Sequence, residues 1–424
     1  MSAPSRGTAR RRLAVPLGAV MLFTLVACPP GPPATEPAAE PPAAPAARAE
    51  PAPPAADTTA PAAPAPTART VRICAGGDVL LGNNLDTLWA TRAAARLGRD
   101  VPAFPDLDSL LSPLSRLLSG ADIVLLNLEG AIGEGPAPRK CRPGSTRCYA
   151  FRQPIAAAAA LRRAAGDAVL VANLANNHAM DAGYAGFDGT LSHLGEAGAL
   201  VTGADTLATP IVTPAGDTVA VLGFSPFLAG PDPRDLSAVR RHVARAFARY
   251  GRVIVSMHVG AEGSGAQRTP NRTEIFLGED RGNSVAIARA AVESGAALVI
   301  GHGPHVLRAA EWRGAALTFY SLGNLLTYGP FNMREPSNIG GVACASIDAA
   351  GRVSDAEFRS TYQLPPGLVR FDPAARGAFL VDSLGRLDFP ESAGRVLADG
   401  SVVRSRSSIS DSLLDARSSM DNIR

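Results

Sequence analysis

The sequence predicts an α/β fold in which strands deliver polar groups at their carboxyl ends. Short apolar runs of β character alternate with segments of helical period from residue 71 to about residue 358. Several of those runs stop abruptly in amides, carboxylates or imidazoles. The clearest is the run from Ala168 to Leu174, which ends in Asn176-Asn177-His178 ahead of a helix-like segment carrying Leu191 and Leu194. A strand tip just before a helix is where open α/β sheets bind their ligands.

The chain has 424 residues, enough for one large domain or two ordinary ones. Forty-one Lys and Arg stand against 38 Asp and Glu, a net charge of +3, so no nucleic-acid-binding stripe is indicated. Residues 1–28 read as a targeting segment: Arg6, Arg10, Arg11 and Arg12 form a positive region, and Leu13 to Val26 is apolar but short for a bilayer span. The segment ends in Leu25-Val26-Ala27-Cys28, the pattern of a bacterial lipobox with Cys28 as the lipidated residue. An ordinary signal peptide or an uncleaved anchor is the alternative, and the position of the cysteine favours the lipoprotein; the arginine run is also compatible with twin-arginine export. Residues 29–68 are almost entirely Pro and Ala. They carry too little apolar surface to fold and favour extended polyproline II, a tether of up to about 120 Å at ~3.1 Å per residue.

The folded part is expected over residues 69–395, with a polar tail over 396–424. Val71 to Ala75 is a strand leading into Gly76-Gly77-Asp78, whose glycines would let backbone approach whatever Asp78 holds. Leucines at helical spacing make 107–118 an amphipathic helix, and Ile123 to Leu126 is a strand running into Asn127-Leu128-Glu129-Gly130. A Pro/Gly/Arg loop fills 133–150, and Cys141 with Cys148 is expected to close it as a local disulfide; Cys74 and Cys344, in apolar runs, read as buried thiols. A helix over 154–165 returns to the Asn-Asn-His strand. Val219 to Phe224 is a strand, Leu236 to Tyr250 a helix, and Val253 to Met257 a strand ending at His258, with Glu262 close behind. A polar insertion occupies 263–283, followed by a helix over 285–292 and a strand from Ala297 to Ile300 that runs into Gly301-His302-Gly303-Pro304-His305. Leu317 to Leu322 is a strand leading to Gly323-Asn324, and Val342 to Ile347 with Val353 to Phe358 is a hairpin. Beyond residue 360 the pattern weakens.

Any one of these tips reads as a helix cap or a packed histidine. Together, Asp78, Asn127 with Glu129, Asn177 with His178, His258, and His302 with His305 make a ligand set for divalent ions such as Mn, Fe, Zn or Mg. The donors exceed what one tetrahedral ion needs, and two ions bridged by a carboxylate would serve hydrolysis of phosphate esters. His193 and His242, inside helices, read as surface or packing residues.

Six motifs in order, Gly77-Asp78, Asn127-Leu128-Glu129, Asn176-Asn177-His178-Ala179-Met180-Asp181, His258-Val259-Gly260-Ala261-Glu262, Gly301-His302-Gly303-Pro304-His305 and Tyr320-Ser321-Leu322-Gly323-Asn324, resemble the CapA family of capsule and poly-γ-glutamate biosynthesis proteins. That family is similar to the calcineurin-like metallophosphoesterases, and the resemblance covers roughly residues 70–395. It implies a four-layer α/β/β/α sandwich. It implies Asp78, Glu129, Asn177, His258, His302 and His305 as ligands of one or two divalent ions, and His178 as proton donor to the leaving group. Asn127, Asp181, Glu262 and Asn324 would line the substrate pocket. Two departures stand out: Leu80 occupies the histidine position of the superfamily's Asp-x-His motif, and the last motif is His-x-x-His. The insertion over 263–283 is expected to cover the pocket.

Together, the lipobox at Cys28 and the resemblance imply a lipid-anchored extracytoplasmic hydrolase, on the periplasmic or outer face of a membrane, acting on a phosphoester in capsule or polyglutamate biosynthesis beside capsule-synthesis membrane proteins. The rival reading is a non-catalytic accessory that binds an anionic polymer for export or anchoring. Arg139, Lys140, Arg142 and Arg147 could hold such a chain, although a solvated surface loop explains them more simply.

Overall fold

The computed structural model describes residues 69–83, 89–102, 105–133, 148–227, 231–331 and 333–405. The targeting segment with Cys28, the Pro/Ala tether, Cys141 with the basic residues of its loop, and residues 406–424 lie outside the described residues.

The first half of the chain forms β1 (Val71–Leu80), α1 (Trp89–Leu97), α2 (Leu107–Leu117), β2 (Ile123–Leu128), β3 (Ala131–Ile132), β4 (Arg152–Gln153), α3 (Ala156–Ala164), β5 (Val169–Asn173), α4 (Gly183–Glu196) and β6 (Leu200–Thr202). The middle forms β7 (Thr209–Val212), β8 (Thr218–Phe224), α5 (Leu236–Tyr250), β9 (Val253–His258), β10 (Ile275–Phe276), β11 (Glu279–Asp280), α6 (Ser284–Glu293) and β12 (Leu298–His302). The remainder forms β13 (Ala310–Arg313), β14 (Ala316–Phe319), β15 (Asn324–Thr327), β16 (Ile339–Ile347), β17 (Val353–Leu364), β18 (Leu368–Phe371), α7 (Arg376–Asp388), β19 (Gly394–Val396) and β20 (Val402–Arg404).

Two sheets organise these elements. One has eight strands in the order β18-β17-β16-β1-β2-β5-β6, with β15 pairing β1; the other has six in the order β13-β14-β12-β9-β8-β7. The alternation of side chains along a strand assigns the layers. On β1 and β2, Ile73, Ala75, Ile123 and Leu125 pack in one core with Val221, Ile254, Leu298 and Ile300 of the six-stranded sheet. Their neighbours Cys74, Val124 and Leu126 point the other way, into a core shared with α2, α3 and α4. On β9, Val253, Val255 and Met257 pack against Val239 and Val243 of α5 and Val285 and Ala288 of α6. Helices, sheet, sheet and helices form the expected four-layer α/β/β/α sandwich.

Local signals set the helices. In α2, Leu107, Leu110, Leu111, Leu114 and Leu117 are buried at three- and four-residue spacing, and the Asp106 side chain accepts from Ser109 N at its start. Helix α5 begins where Asp235 accepts from Ser237 N and Ala238 N, and stops at Gly251 in the left-handed region.

The parallel strands β1, β2 and β5 of one sheet and β9 and β12 of the other bring their carboxyl ends to one edge of the sandwich. In register, Asp78 stands opposite Asn127 and Asn127 opposite Asn173. In the other sheet His302 stands opposite His258. These two rows of side chains face each other across the edge.

Several expectations need correction. The Gly76-Gly77 pair serves strand packing: a Cβ on Gly77 would lie 1.9 Å from Gly323 O, and Asp78 N donates to that same carbonyl at 3.0 Å. β1 continues through a bulge to Leu80 instead of ending at Ala75. The run expected as one strand from Leu317 to Leu322 is β14, which stops at Phe319; residues 320–323 cross to the eight-stranded sheet, where β15 begins. Cys74 and Cys344 are not thiols. They are register partners on β1 and β16 and form a disulfide, buried in the helix-facing core. At a sequence separation of 270, the sheet pairing brings them together. Cys148 is disulfide-bonded as well. The boundary expected at 395 falls inside a small ladder, because β20 pairs β19 and the fold runs on to Ser405. Among the described residues no helix is long and apolar enough to cross a membrane.

Candidate metal centre

Asp78 is fully buried, and each of its oxygens is engaged. Asn127 Nδ2 donates to Oδ1 at 2.8 Å, and His305 Nδ1 lies 2.8 Å from Oδ2. Asn127 Oδ1 in turn accepts from Asn173 Nδ2 at 2.9 Å and Asn176 Nδ2 at 3.2 Å. Asn127 is therefore a buried residue that orients Asp78, and the expectation that it lines a substrate pocket does not fit its burial. Nδ2 of Asn127 also lies 3.4 Å from His258 Nδ1, which ties the two rows together.

From the six-stranded sheet come the imidazoles. His258 and His302 are buried, and His258 Nε2 and both ring nitrogens of His302 make no hydrogen bond. They point at carboxylates all the same: His258 Nε2 lies 3.8 Å from Glu129 Oε1, and His302 Nδ1 lies 3.7 Å from Asp78 Oδ1. His305 reaches over the top, with Nε2 3.6 Å from Glu129 Oε1 and 3.8 Å from Glu262 Oε2. Its backbone is in the left-handed region at φ +57°, rare outside glycine and typical of constrained sites. Asn324 Nδ2 donates to His305 O at 3.3 Å and to Ser337 O at 3.2 Å. Asn324 thus holds the His305 backbone, a more definite role than the pocket lining expected for it.

The general-acid candidate stands beside this cluster. His178 is buried, its Nδ1 lies 2.6 Å from Asp181 Oδ2, and that oxygen also accepts from Phe151 N at 2.8 Å. The Phe151 ring packs on the imidazole with centroids 4.5 Å apart. Asp181, expected to line the pocket, is buried behind His178 and orients it. With a carboxylate at Nδ1, that nitrogen carries a proton, and Nε2 is the working atom. Asn177 is half-buried in the turn between Asn176 and His178. Glu262 is half-buried at the rim. His193 and His242 sit on α4 and α5 as expected, outside the cluster.

The electrostatics divide the histidines. Burial lowers His302 to about 4, outweighing the pull of Asp78. Burial also drives His258 well below its ordinary value, with the neighbouring imidazoles adding to the effect. His305 goes the other way: burial opposes its charge, but Glu129 and Asp78 overcome this and hold it well above the usual range. Burial likewise works to raise Asp78, yet the His305 charge and hydrogen bond keep it at about 2. The centre holds an ionised Asp78 and two imidazoles, His258 and His302, whose burial disfavours the charged form.

Asp78, Glu129 and His305 each offer a ligand atom within 4.8 Å of the others, the spacing of a metal-binding cluster. The buried imidazole nitrogens supply the test of fit. An unsatisfied buried polar atom costs about 1–3 kcal/mol, and a divalent cation would satisfy several here at once. Nitrogen and carboxylate donors suit Mn, Fe, Zn or Mg. The residues fit an ion.

Asn173, Phe151 and Arg281 complete the surroundings and were not singled out from sequence as site residues, while Asn176, read there as part of the Asn-Asn-His tip, donates to Asn127 Oδ1. Asn173 was visible as a lone amide inside an apolar strand. Phe151 and Arg281 depend on contacts between distant segments.

The chain is 31% identical over 172 residues to the PGA biosynthesis protein CapA of Bacillus subtilis (strain 168), covering 37% of this chain and 42% of that protein. It is 30% identical over 175 residues to the capsule biosynthesis protein CapA of Bacillus anthracis, covering 37% and 39%. The match thus spans about two fifths of the length of these curated relatives. Among solved structures it is similar to a 5'-nucleotidase precursor from Thermus thermophilus, with a TM-score of 0.37 and 13% identity, covering 69% of this chain and 54% of that one. It is also similar to GAP50, the anchor in the inner membrane complex of Plasmodium, with a TM-score of 0.35 and 9% identity, covering 71% and 88%. The model of the bacterial capsule synthesis protein PGA_cap family matches residues 72–328, more than half of the chain and all the motifs of the centre, and the chain belongs to that family.

Proposed function

We propose that this protein is a metal-dependent phosphoester hydrolase of capsule or polyglutamate biosynthesis, held at the cell envelope by lipid on Cys28. The observation that carries the reading is the pairing of a metal-shaped cluster with a separately built acid. Asp78, Glu129, Asn177, His258, His302 and His305 would hold one or two divalent ions. Such an ion, when bound, brings water into reach of deprotonation near neutral pH and draws charge from the phosphoryl group. The chain does the rest. Asp78 is held by Asn127 in a fixed orientation. His178 offers Nε2–H to the leaving oxygen while Asp181 keeps Nδ1 occupied and stabilises the cationic ring. Phe151 shields that ring from water.

The buried Cys74–Cys344 disulfide supports an exported location, since such bonds persist in oxidising compartments. The substrate in this reading is a phosphoester of an envelope polymer or its precursor, and the partners are membrane proteins of polymer synthesis.

The test is metal content by mass spectrometry on the purified chain, with turnover of bis-p-nitrophenyl phosphate measured with and without manganese. Metal-dependent turnover that His178→Ala abolishes supports the hydrolase. Bound metal without turnover of any phosphoester, combined with retention of poly-γ-glutamate, overturns it in favour of a polymer-binding accessory.

A further inference from the structure

After β9 the chain runs through Gly260 and Ala261 to Glu262, enters the insertion, and returns along β10 and β11 to Arg281. Glu262 is 18% exposed, and its two oxygens face different partners. Oε1 accepts from Arg281 Nη1 at 2.7 Å. Oε2 lies 3.8 Å from His305 Nε2, the nitrogen that is itself 3.6 Å from Glu129 Oε1. Glu262 Oε2 and Glu129 Oε1 therefore flank the same imidazole nitrogen, and donors sharing one ion at bond lengths of about 2.1 Å lie roughly 3–4 Å apart.

Glu262 is held by several contacts from the insertion and beyond. The Arg281 side chain is only 5% exposed, with its guanidinium 4.6 Å from the Phe227 ring centre and 5.3 Å from that of Phe276. Phe227 in turn lies edge-on to His258 at 6.3 Å. One residue before Glu262, Ala261 is gripped at both backbone groups. Its N–H donates to Glu274 Oε1 at 3.3 Å, and its carbonyl accepts from Arg308 Nη2 at 3.3 Å. Arg308 and Glu274 are joined by two 2.8 Å bonds in a buried fork. The insertion fixes one carboxylate against the centre.

A donor is needed there. Leu80, at the place of a ligating histidine in the Asp-x-His pattern, is buried and has nothing to offer an ion. The unbonded nitrogens of His258 and His302 are a separate observation that fits a cation in the same cluster. We propose that Glu262 is a ligand of this metal centre, supplying from the loop after β9 the donor that Leu80 withholds, and that Arg281 is the positioning residue that fixes its carboxylate. The proposal rests on the metal-centre reading and goes beyond it, because it turns a pocket-lining residue into part of the coordination set.

The experiment is manganese titration into the metal-stripped full-length chain, followed by calorimetry and by mass spectrometry after dialysis, with substrate absent. Glu262→Gln is expected to lose one equivalent of manganese or to weaken binding at least tenfold. Glu262→Asp is expected to fall between Gln and wild type, and its Mn(II) spin-resonance spectrum to differ from that of wild type, a readout that survives if the Gln variant folds poorly. Arg281→Met should weaken binding by about 10–100-fold, as lost supporting contacts do. Glu279→Gln, which removes an exposed carboxylate from the same guanidinium, should bind as wild type does. Unchanged stoichiometry and affinity in Glu262→Gln, with only KM for an aryl phosphodiester raised, would make Glu262 a substrate contact and overturn the proposal while leaving the metal centre standing. A wild-type chain that binds none of Mn, Fe, Zn or Mg would overturn both.

Discussion

Along the row Asp78–Asn127–Asn173 in the eight-stranded sheet, each side chain holds the next, at 2.8 and 2.9 Å. Along the row His258–His302 in the six-stranded sheet, three ring nitrogens are buried with no hydrogen bond. The same edge of one sandwich thus carries two differently built halves. The first is satisfied by its own amides and would keep its shape with nothing bound. The second is costly to bury as it stands, and a cation supplied from outside would offset that. Burial lowers the affinity of His258 and His302 for a proton. A metal ion fits this division, with the first half as a fixed frame and the second offering the donors.

The largest effect expected concerns neither half. His178 lies outside the three-residue cluster and is oriented by its own carboxylate. His178→Ala should lower turnover of an aryl phosphodiester by about 10²–10⁴-fold, the range for a lost general acid, and leave metal content unchanged. Loss of metal alongside turnover would merge the acid with the coordination set.

The next prediction sets the two halves against each other through His302. Saturation with manganese at a hundredfold over Kd should stabilise the wild-type chain by about 2.7 kcal/mol. His302→Leu should abolish most of that gain. In EDTA the same variant should be as stable as wild type or more so, because an unsatisfied buried polar group costs about 1–3 kcal/mol and the leucine has none. Thermal unfolding of both proteins with manganese and with EDTA reads this reversal of sign directly. A His302→Leu chain less stable in both conditions would mean that the imidazole already has a partner, and the contrast between the rows would fail.

Asn127→Leu is the counterpart in the other row. It strips Asp78 of its donor and leaves the amides of Asn173 and Asn176 facing an apolar side chain. The cost should be about 1–3 kcal/mol with or without metal, and metal affinity should fall by about 10–100-fold. Stability loss that appears only in manganese would show that the row is not self-supporting.

How much of this could be read from the sequence follows the same division. Strand tips such as Asp78, Asn127 and His258 stood out, because a run such as Val253 to Met257 followed by His258 announces both the strand and its tip, whereas Asn173 at the end of β5 did not. The helix from Leu236 to Tyr250 was legible to the residue, since Asp235 and Gly251 mark its ends. What failed was pairing. Cys74 with Cys344, Gly77 against Gly323, and Arg281 beside Glu262 are contacts between segments whose proximity only the finished sheets decide. Burial misled in a second way. Asn127, Asp181 and Asn324 were recognised as polar residues of the site, but a sequence does not say whether an amide faces substrate or faces another ligand. Beyond residue 360, β17 continues to Leu364 with alternating burial and α7 buries Val381 and Leu384, yet the polar faces of both elements mask the pattern.

Asn173 is the sharpest remaining probe, because it stands at the far end of the satisfied row and touches nothing in the second one. Its Nδ2 donates to Asn127 Oδ1 at 2.9 Å and to Ala175 O at 3.3 Å, and its Oδ1 accepts from Ala175 N at 3.3 Å. Asn173→Ala removes all three bonds, but Asn127 Oδ1 still accepts from Asn176 at 3.2 Å and keeps its orientation. A cost of about 1 kcal/mol is expected, typical of a hydrogen bond with a remaining partner, and metal affinity should change by less than tenfold. Unfolding midpoint and manganese titration on the same sample measure both. If Asn173→Ala loses as much metal as Asn127→Leu, the three residues act as one rigid unit, and orientation of Asp78 is set from β5 two strands away instead of by the neighbouring amide alone.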